Sequence, residues 1–150
     1  MKYEKYDFKV GENLKFFEFE SNGPNGKITK LIHYTEMELK GFYNLGFGDK
    51  CLMTGEIDDG VITNNGDSQK VLLTVASTVY TFTDKHPNSW IYATGSTKAR
   101  TRLYRIGISN NLSEILQDYE VHGLRDGSWY CFEKNVDYDA FLIRRKSLNS

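Results

Sequence analysis

The segment of residues 68–85 limits the fold most strongly, because a strand and a helix at this place lead to different architectures. Its many threonines and valines are β-branched and favour a strand by local propensity. Its length and apolar period favour a helix instead, with Asp67 as a capping residue and Pro87 as a stop. The residues of the apolar stripe are Val71, Leu72, Val75, Val79 and Phe82. We predict a largely buried helix over about 67–85, and the β-branched residues within 71–83 keep a strand as the alternative.

Alternating apolar residues and turn residues predict strands around this helix. A hairpin is expected from residues 14–20 and 27–37, joined by the turn residues of 22–26. A second, shorter pair is expected from 42–47 and 51–56, and further strands from 90–93, 119–124, 128–133 and 138–144. Asn111 and Glu114 have the spacing of a capping box for a short helical piece. The sum predicts one α+β domain over 1–150, a mostly antiparallel, curved sheet packed against two main helices, about 67–85 and 97–109.

Charge and cysteine usage limit the partners of the chain. The 150 residues hold 19 Lys and Arg against 20 Asp and Glu, a net charge of -1, so any binding to nucleic acid needs a local patch. Cys51 and Cys131 lack metal-ligand spacing, and the N-terminus has no apolar signal core. These features predict a cytoplasmic protein with reduced, buried thiols, no membrane segment and no cofactor.

The turn after strand 90–93 has the composition of an anion site. Gly95 stops the strand, and Ser96 or Thr97 can cap a helix whose first amides then remain free. On a regular helix the core stripe is expected from Ala99, Leu103 and Ile106. The cations Lys98, Arg102 and Arg105 fall on a neighbouring face, with Arg100 near Tyr104. The sharper interpretation is a phosphate or carboxylate pocket; the plainer one is a solvated face with weak ion pairs.

A second group of polar residues is acidic and rich in amides: Asn44, Asp49, Glu56, Asp58, Asp59, Asn64, Asn65 and Asp67. Carboxylates of this kind can hold Mg²⁺ or Ca²⁺, yet the spacing does not match a calcium-binding loop. Such residues beside glycine more often form turns and caps, which is the interpretation we favour. The three histidines, His33, His86 and His122, are dispersed and are expected to be structural.

The chain resembles a family of small bacterial proteins that is known only as a domain of unknown function. The resemblance covers nearly the whole chain and lies in the segments FYNLGFGD (42–49), DD (58–59), NNGD (64–67), residues 71–79 and, above all, GSTKARTRLYR (95–105). The family brings no activity with it. The resemblance implies only that the polar loops and the arginine helix occur together, as one shared site would require.

These patterns favour a ligand-binding protein over two alternatives. The ligand is expected to be an anion, a nucleotide or a nucleic-acid backbone. The expected binding residues are Gly95, Ser96, Thr97, Arg100, Arg102 and Arg105, joined by Asn44, Asp49, Asp58 and Asp67. One alternative is a phosphoryl-directed, metal-dependent hydrolase that uses Asp58, Asp59 or Asp67. The other is a protein-interaction component of a bacterial two-gene system, in which the cations meet an acidic partner.

Overall fold

The computed structural model describes residues 5–58, 64–95 and 97–146. Within these ranges the chain has an α+β fold, as predicted, with eight strands and three α-helices. The strands are β1 Phe8–Val10, β2 Phe16–Gly23, β3 Gly26–Glu36, β4 Phe42–Asp49, β5 Trp90–Ala93, β6 Tyr119–Arg125, β7 Ser128–Cys131 and β8 Ala140–Arg145. The helices are α1 Ser68–Lys85, α2 Lys98–Asn110 and α3 Leu112–Asp118, besides a short 3₁₀ helix, Glu12–Leu14.

The strands form a mostly antiparallel sheet in the order β1-β2-β3-β4-β5-β8-β6-β7. The contacts divide the chain into two compact units. Unit 1 comprises residues 1, 36–44 and 86–150, and unit 2 comprises residues 2–35 and 45–85. That both belong to a single domain stays a prediction.

In unit 2 the predicted hairpin is confirmed. Strands β2 and β3 pair from Phe16↔His33 to Gly23↔Gly26, which leaves a two-residue turn of Pro24 and Asn25. Because side chains alternate across a strand, one face of this hairpin is buried. The core residues of that face are Phe17, Phe19, Ile32 and Tyr34, each no more than 3% exposed.

Helix α1 confirms the prediction made from period and length over the one made from β propensity. Its threonines fit a helix because their hydroxyls donate to carbonyls of the preceding turn, over 2.7 Å for both Thr74 and Thr78. The Thr78 hydroxyl also bonds to the Tyr34 hydroxyl at 2.9 Å, and the Tyr34 ring stacks on Phe82 with ring centroids 4.3 Å apart. Buried hydroxyls without such partners would cost about 1–3 kcal/mol each.

The expected second hairpin is wrong. Strand β4 runs on to Asp49, and residues 51–56 form turns rather than a strand, with one isolated bridge between Lys50 and Ile57. Gly55 has a φ of 75°, in the left-handed region that glycine enters without steric cost. Gly55 therefore favours a tight turn in the segment where we expected a strand.

In unit 1, strand β8 lies between β5 and β6, and β6 forms the predicted hairpin with β7. Asp126 and Gly127 in its turn both have positive φ, 51° and 78°, as a two-residue hairpin turn requires. The predicted capping box is wrong: the Asn111 side chain makes no cap bond and donates to the Gly107 carbonyl at 3.0 Å instead. Asn111 directly follows α2, and its backbone N–H donates to the Ile108 carbonyl of that helix.

The cysteines and the helices can be compared with the expectations on compartment and membrane. Both cysteines are free thiols, but Cys51 is only half-buried and Cys131 is exposed, so the expectation of buried thiols is wrong. Over residues 5–58, 64–95 and 97–146, no helix combines the length and apolarity needed to cross a bilayer.

Candidate anion-binding site

Thr97 opens helix α2, as predicted. It has the extended backbone of an N-cap, with φ -135° and ψ 163°, and its hydroxyl accepts from the Arg100 amide at 3.3 Å. Such a cap satisfies one of the amides that a helix start leaves without an intrahelical partner. Ser96, the other predicted cap and a predicted ligand-binding residue, lies outside the described residues.

Gly95 holds the turn against the helix. Its amide donates to the Thr101 hydroxyl at 3.0 Å, and that hydroxyl lies 3.1 Å from the Thr97 carbonyl. A Cβ at Gly95 would lie 2.5 Å from both the Arg100 Cβ and the Thr101 amide. Only glycine fits this approach, so Gly95 fixes the turn and its own amide is already engaged.

The rotation of α2 differs from the prediction. The expected core stripe of Ala99, Leu103 and Ile106 is wrong, since Leu103 is 38% exposed and Ala99 is also exposed. The buried residues of α2 are Thr101 and Ile108 instead. The physical reason is the Gly95 contact, which ties Thr101 to the end of β5 and so turns that side of the helix inward.

The three arginines of α2 differ in burial. Arg105 stands one turn after Thr101, and its side chain is only 18% exposed. Its Nε lies 3.6 Å from Asp137 Oδ1, too far for a hydrogen bond, and is buried without a hydrogen-bond partner. Arg102, by contrast, is exposed. Arg102 and Arg105 therefore differ in burial, although their spacing places them close together around the helix.

Arg100 lies near Tyr104, as expected. Burial raises the pKa of the Tyr104 hydroxyl to about 12, and the positive charge of Arg100 acts in the opposite direction on that pKa. Helix α2 carries four cations, Lys98, Arg100, Arg102 and Arg105, and its thirteen residues include no Asp or Glu. Three of these cations stand within its first five residues, where the helix dipole is already positive.

The predicted acidic residues are mostly engaged by protein groups in unit 2. Asp49 is 7% exposed and forms an ion pair with Lys30. The Asp67 Oδ2 atom accepts from the Tyr6 and Ser21 hydroxyls, both at 2.5 Å. The Asp58 amide donates to the Asp49 carbonyl at 2.8 Å, so these two residues are neighbours. Asp59 lies outside the described residues, and Asn44 is half-buried in the part of β4 that belongs to unit 1.

The described part of the amide-rich loop, residues 64–67, is held by hydrogen bonds to protein groups. Asn65 is 1% exposed; its side-chain amide donates to the Gly26 carbonyl at 2.9 Å, and its Oδ1 accepts from the Asn25 amide at 2.8 Å. The Asn64 side chain accepts from the Gly66 amide at 3.0 Å. Among the described residues, no group of three or more His, Cys, Asp or Glu is arranged to hold a metal ion.

The structure thus brings Gly95, Thr97 and Arg100 together through one residue that sequence reasoning missed, Thr101. A signal for it exists: a threonine stands four residues after the cap, where its hydroxyl can return to the turn. The second missed residue is Tyr6, which lies 61 positions from its partner Asp67. Nothing in the local sequence marks that contact.

These features define an α+β protein whose helix α2 concentrates positive charge at its start. The chain belongs to the DUF6934 family of unknown function, whose model matches residues 2–146. The family resemblance drawn from the sequence is thereby confirmed. No curated protein matches the chain, and no solved structure does.

Proposed function

We propose that the protein binds an anionic, phosphate-bearing ligand, a nucleotide or a nucleic-acid backbone, at the first turn of α2. The observation that supports it is the charge of this turn: Lys98, Arg100 and Arg102 stand at the positive end of a helix without any carboxylate. Cations at a helix start oppose the dipole, at a cost of about 0.3–1 kcal/mol each. A bound phosphate offsets that cost, because its negative charge interacts favourably with the positive end of the helix dipole and with the guanidinium groups.

The local contacts support this role by fixing the turn before a ligand arrives. The Gly95 amide and the Thr97 carbonyl both bond to the Thr101 hydroxyl, and the Thr97 hydroxyl caps the helix. A turn held in this way costs little ordering on binding. In this proposal Arg100 and Arg102 contact the anion. Arg105, largely buried beside Asp137, does not touch it and only adds to the positive electrostatic potential of the site.

The hydrolase alternative lacks comparable support. Of the three carboxylates that it uses, Asp67 accepts from the Tyr6 and Ser21 hydroxyls, the Asp58 amide bonds to the Asp49 carbonyl, and Asp59 lies outside the described residues. We place the proposed function in the cytoplasm, since both cysteines are free thiols, as is usual in a reducing compartment.

The test is fluorescence anisotropy with labelled single-stranded RNA, single-stranded DNA and a labelled nucleoside triphosphate, each at about 50 mM and about 200 mM salt. Binding is expected to weaken at the higher salt. Arg102→Ala is expected to weaken binding to all oligonucleotide sequences alike. It is also expected to lower the salt slope by about 0.7 for each phosphate that the variant no longer neutralises.

Thr97→Asp separates folding from binding. Aspartate caps a helix about as well as threonine and interacts favourably with the dipole, so the melting temperature is expected to hold or rise. Its charge repels an anion, so the affinity is expected to fall. Lys134→Ala, which removes an exposed cation of unit 1 outside α2, is the matched control and is expected to keep wild-type affinity. Equal affinity in wild type and Thr97→Asp, or no binding of any probe at low salt, would overturn the proposal.

A further inference from the structure

A cleft in unit 2 is built on the sheet face that does not pack against α1. Phe17 and Tyr34 are buried core residues, and Tyr34 contacts Phe82 of α1. Side chains alternate along a strand, so Phe16 and His33 project from the opposite face. They line a cleft of about 730 Å³. This volume lies within the range of about 300–1,000 Å³ that small-molecule sites occupy.

The floor of this cleft is aromatic. The rings of Phe16 and His33 stack with centroids 4.0 Å apart and planes 18° from parallel. Phe16 nevertheless remains 49% exposed. Burial, and secondarily the charge of Lys15, lowers the pKa of His33, so its ring is neutral near neutral pH. A neutral stacked pair of this kind offers a flat surface to another planar ring.

Charged side chains of both signs line the cleft around these rings. The cleft is lined by one cation, Lys9, and by two carboxylates, Glu18 and Glu56. Glu18 is held in place by Lys50, whose Nζ lies 3.2 Å from its Oε1. Carboxylates only accept hydrogen bonds, so this edge complements a ligand that donates N–H groups. With Lys50 counted beside Glu18, the cations and carboxylates around the cleft are equal in number, so an anionic ligand meets no net attraction there.

Gly46 keeps the cleft open. It lies in β4 and lines the cleft with backbone alone. A Cβ built there meets only the His33 carbonyl at 3.5 Å and Ile57 Cδ1 at 3.6 Å, which are ordinary contact distances. The strand therefore tolerates a side chain at this position, and a side chain would occupy the space that the glycine leaves.

We propose that this cleft binds a planar heteroaromatic ligand with an exocyclic amino group, of the nucleobase type. The ring stacks on Phe16, and its amino group donates to the carboxylate of Glu18 or Glu56. The site lies wholly in unit 2 and is independent of the anion site in α2, because it recognises the ring and its amino edge rather than a phosphate.

The test uses nucleosides, which carry no phosphate, in ligand-observed NMR and calorimetric titrations. Cytidine and adenosine present an exocyclic amino group, and uridine and inosine carry a carbonyl at the same ring position. Cytidine and adenosine are expected to bind at least about 10-fold more tightly than uridine and inosine, the effect of one hydrogen bond to a charged acceptor. Arg102→Ala is expected to leave these affinities unchanged, which distinguishes this proposal from the anion site.

Four variants locate the site. Gly46→Val is expected to abolish nucleoside binding by filling the cleft, and Phe16→Leu to weaken it by removing the ring while keeping an apolar side chain. Glu18→Gln and Glu56→Gln are tested separately, and at least one is expected to erase the preference for cytidine over uridine. Glu20→Gln, on the same side of β2 but outside the cleft lining, is the matched control and is expected to bind like wild type.

Melting curves of each variant check the fold, so a loss of binding counts only in a folded protein. If Gly46→Val does not fold, the loss of binding in Phe16→Leu locates the site instead. Equal affinity for cytidine and uridine, unchanged binding in folded Gly46→Val, or no nucleoside binding to the wild-type protein would each overturn the proposal.

Discussion

The ammonium group of Lys30 pairs with the carboxylate of Asp49 inside unit 2, and the two side chains are only 1% and 10% exposed. Removing two charges from water is costly, and their mutual attraction compensates for it only while both are present. The pair therefore makes the middle of β3 and the end of β4 dependent on each other. Asp49 is thus tied to folding, although its position in the sequence suggested a ligand-binding residue.

Asp49→Asn is expected to destabilise the protein by about 3–5 kcal/mol, because it leaves the Lys30 charge buried without its partner. The double variant Lys30→Met with Asp49→Leu is expected to lose much less stability than the sum of the losses of Lys30→Met alone and Asp49→Leu alone. Urea denaturation of the four proteins gives this coupling energy as a double-mutant cycle. Additive losses would show that the pair is not coupled.

Tyr6→Phe is expected to lower stability by about 1.5–3 kcal/mol near neutral pH, since the Tyr6 hydroxyl donates to the charged Asp67 carboxylate. Burial, followed by the Asp67 contact, raises the pKa of Tyr6 above its ordinary value of 10.0. A raised pKa contributes stability that is fully present below pH 10.0 and is lost as the pH rises through the folded value. The loss of stability above pH 10.0 should therefore be smaller in Tyr6→Phe than in wild type.

Denaturant titrations at neutral and alkaline pH measure both effects of Tyr6→Phe. Tyr130→Phe serves as the control for stability, because Tyr130 is 51% exposed and lies on β7 of unit 1. A neutral-pH loss no larger than that of the control would remove the assigned role of the Tyr6 hydroxyl.

Gly95→Ala is expected to cost about 1–3 kcal/mol through overpacking, because the added Cβ would lie 2.5 Å from the Thr101 amide. Gly46→Ala is the matched control, since its Cβ meets its nearest atom at 3.5 Å. Thermal melts followed by circular dichroism compare the two glycine variants. Equal melting temperatures would mean that the turn before α2 yields easily and does not fix the helix.

Stability is expected to fall as the pH drops through 6.5, partly because of His33. Burial, with a smaller contribution from Lys15, lowers the folded pKa of His33 below its ordinary value of 6.5. Between the folded pKa and 6.5 the unfolded chain takes up a proton that the folded chain does not, so stability decreases with falling pH in this window. His33→Phe retains a ring against Phe16 and should show a smaller decrease.

The comparison for His33 is a pair of urea titrations at about pH 7.5 and about pH 5.5 for wild type and His33→Phe. Because all other titrating groups are shared, the difference between the two proteins isolates the histidine. An identical decrease in both proteins would show that His33 does not contribute to the pH dependence.

The predictions from sequence succeeded where the determining contacts lie within a few residues. Pro24 and Asn25 mark the turn of the first hairpin, and Asp126 with Gly127 marks the last one. Both work because turn geometry depends on the φ of the turn residues themselves. In segment 51–56 the same kind of reasoning failed, since the expected strand is replaced by turns in which Gly55 has a positive φ.

The candidate site was predictable only in part. Thr97 as the cap of α2 followed from its hydroxyl and its position before the helix. The sequence did not predict which side of α2 is buried, because the bond between the Gly95 amide and the Thr101 hydroxyl sets the rotation of the helix. The sequence therefore did not predict that Arg105 would be largely buried while Arg102 is exposed.

Local patterns of residues were enough to specify the α+β class, the helix of residues 68–85 and the cap of α2, because period, length and turn chemistry act along short stretches of chain. Three other features arise only when the chain is folded: the buried side of α2, the neutralisation of Asp49 by Lys30, and the open aromatic floor of Phe16 and His33. Two of these features join residues that are distant in the chain, and the third depends on how the short turn from Gly95 to Thr101 packs against the helix. Their energies depend on burial and on distance in space, which no local pattern of residues records.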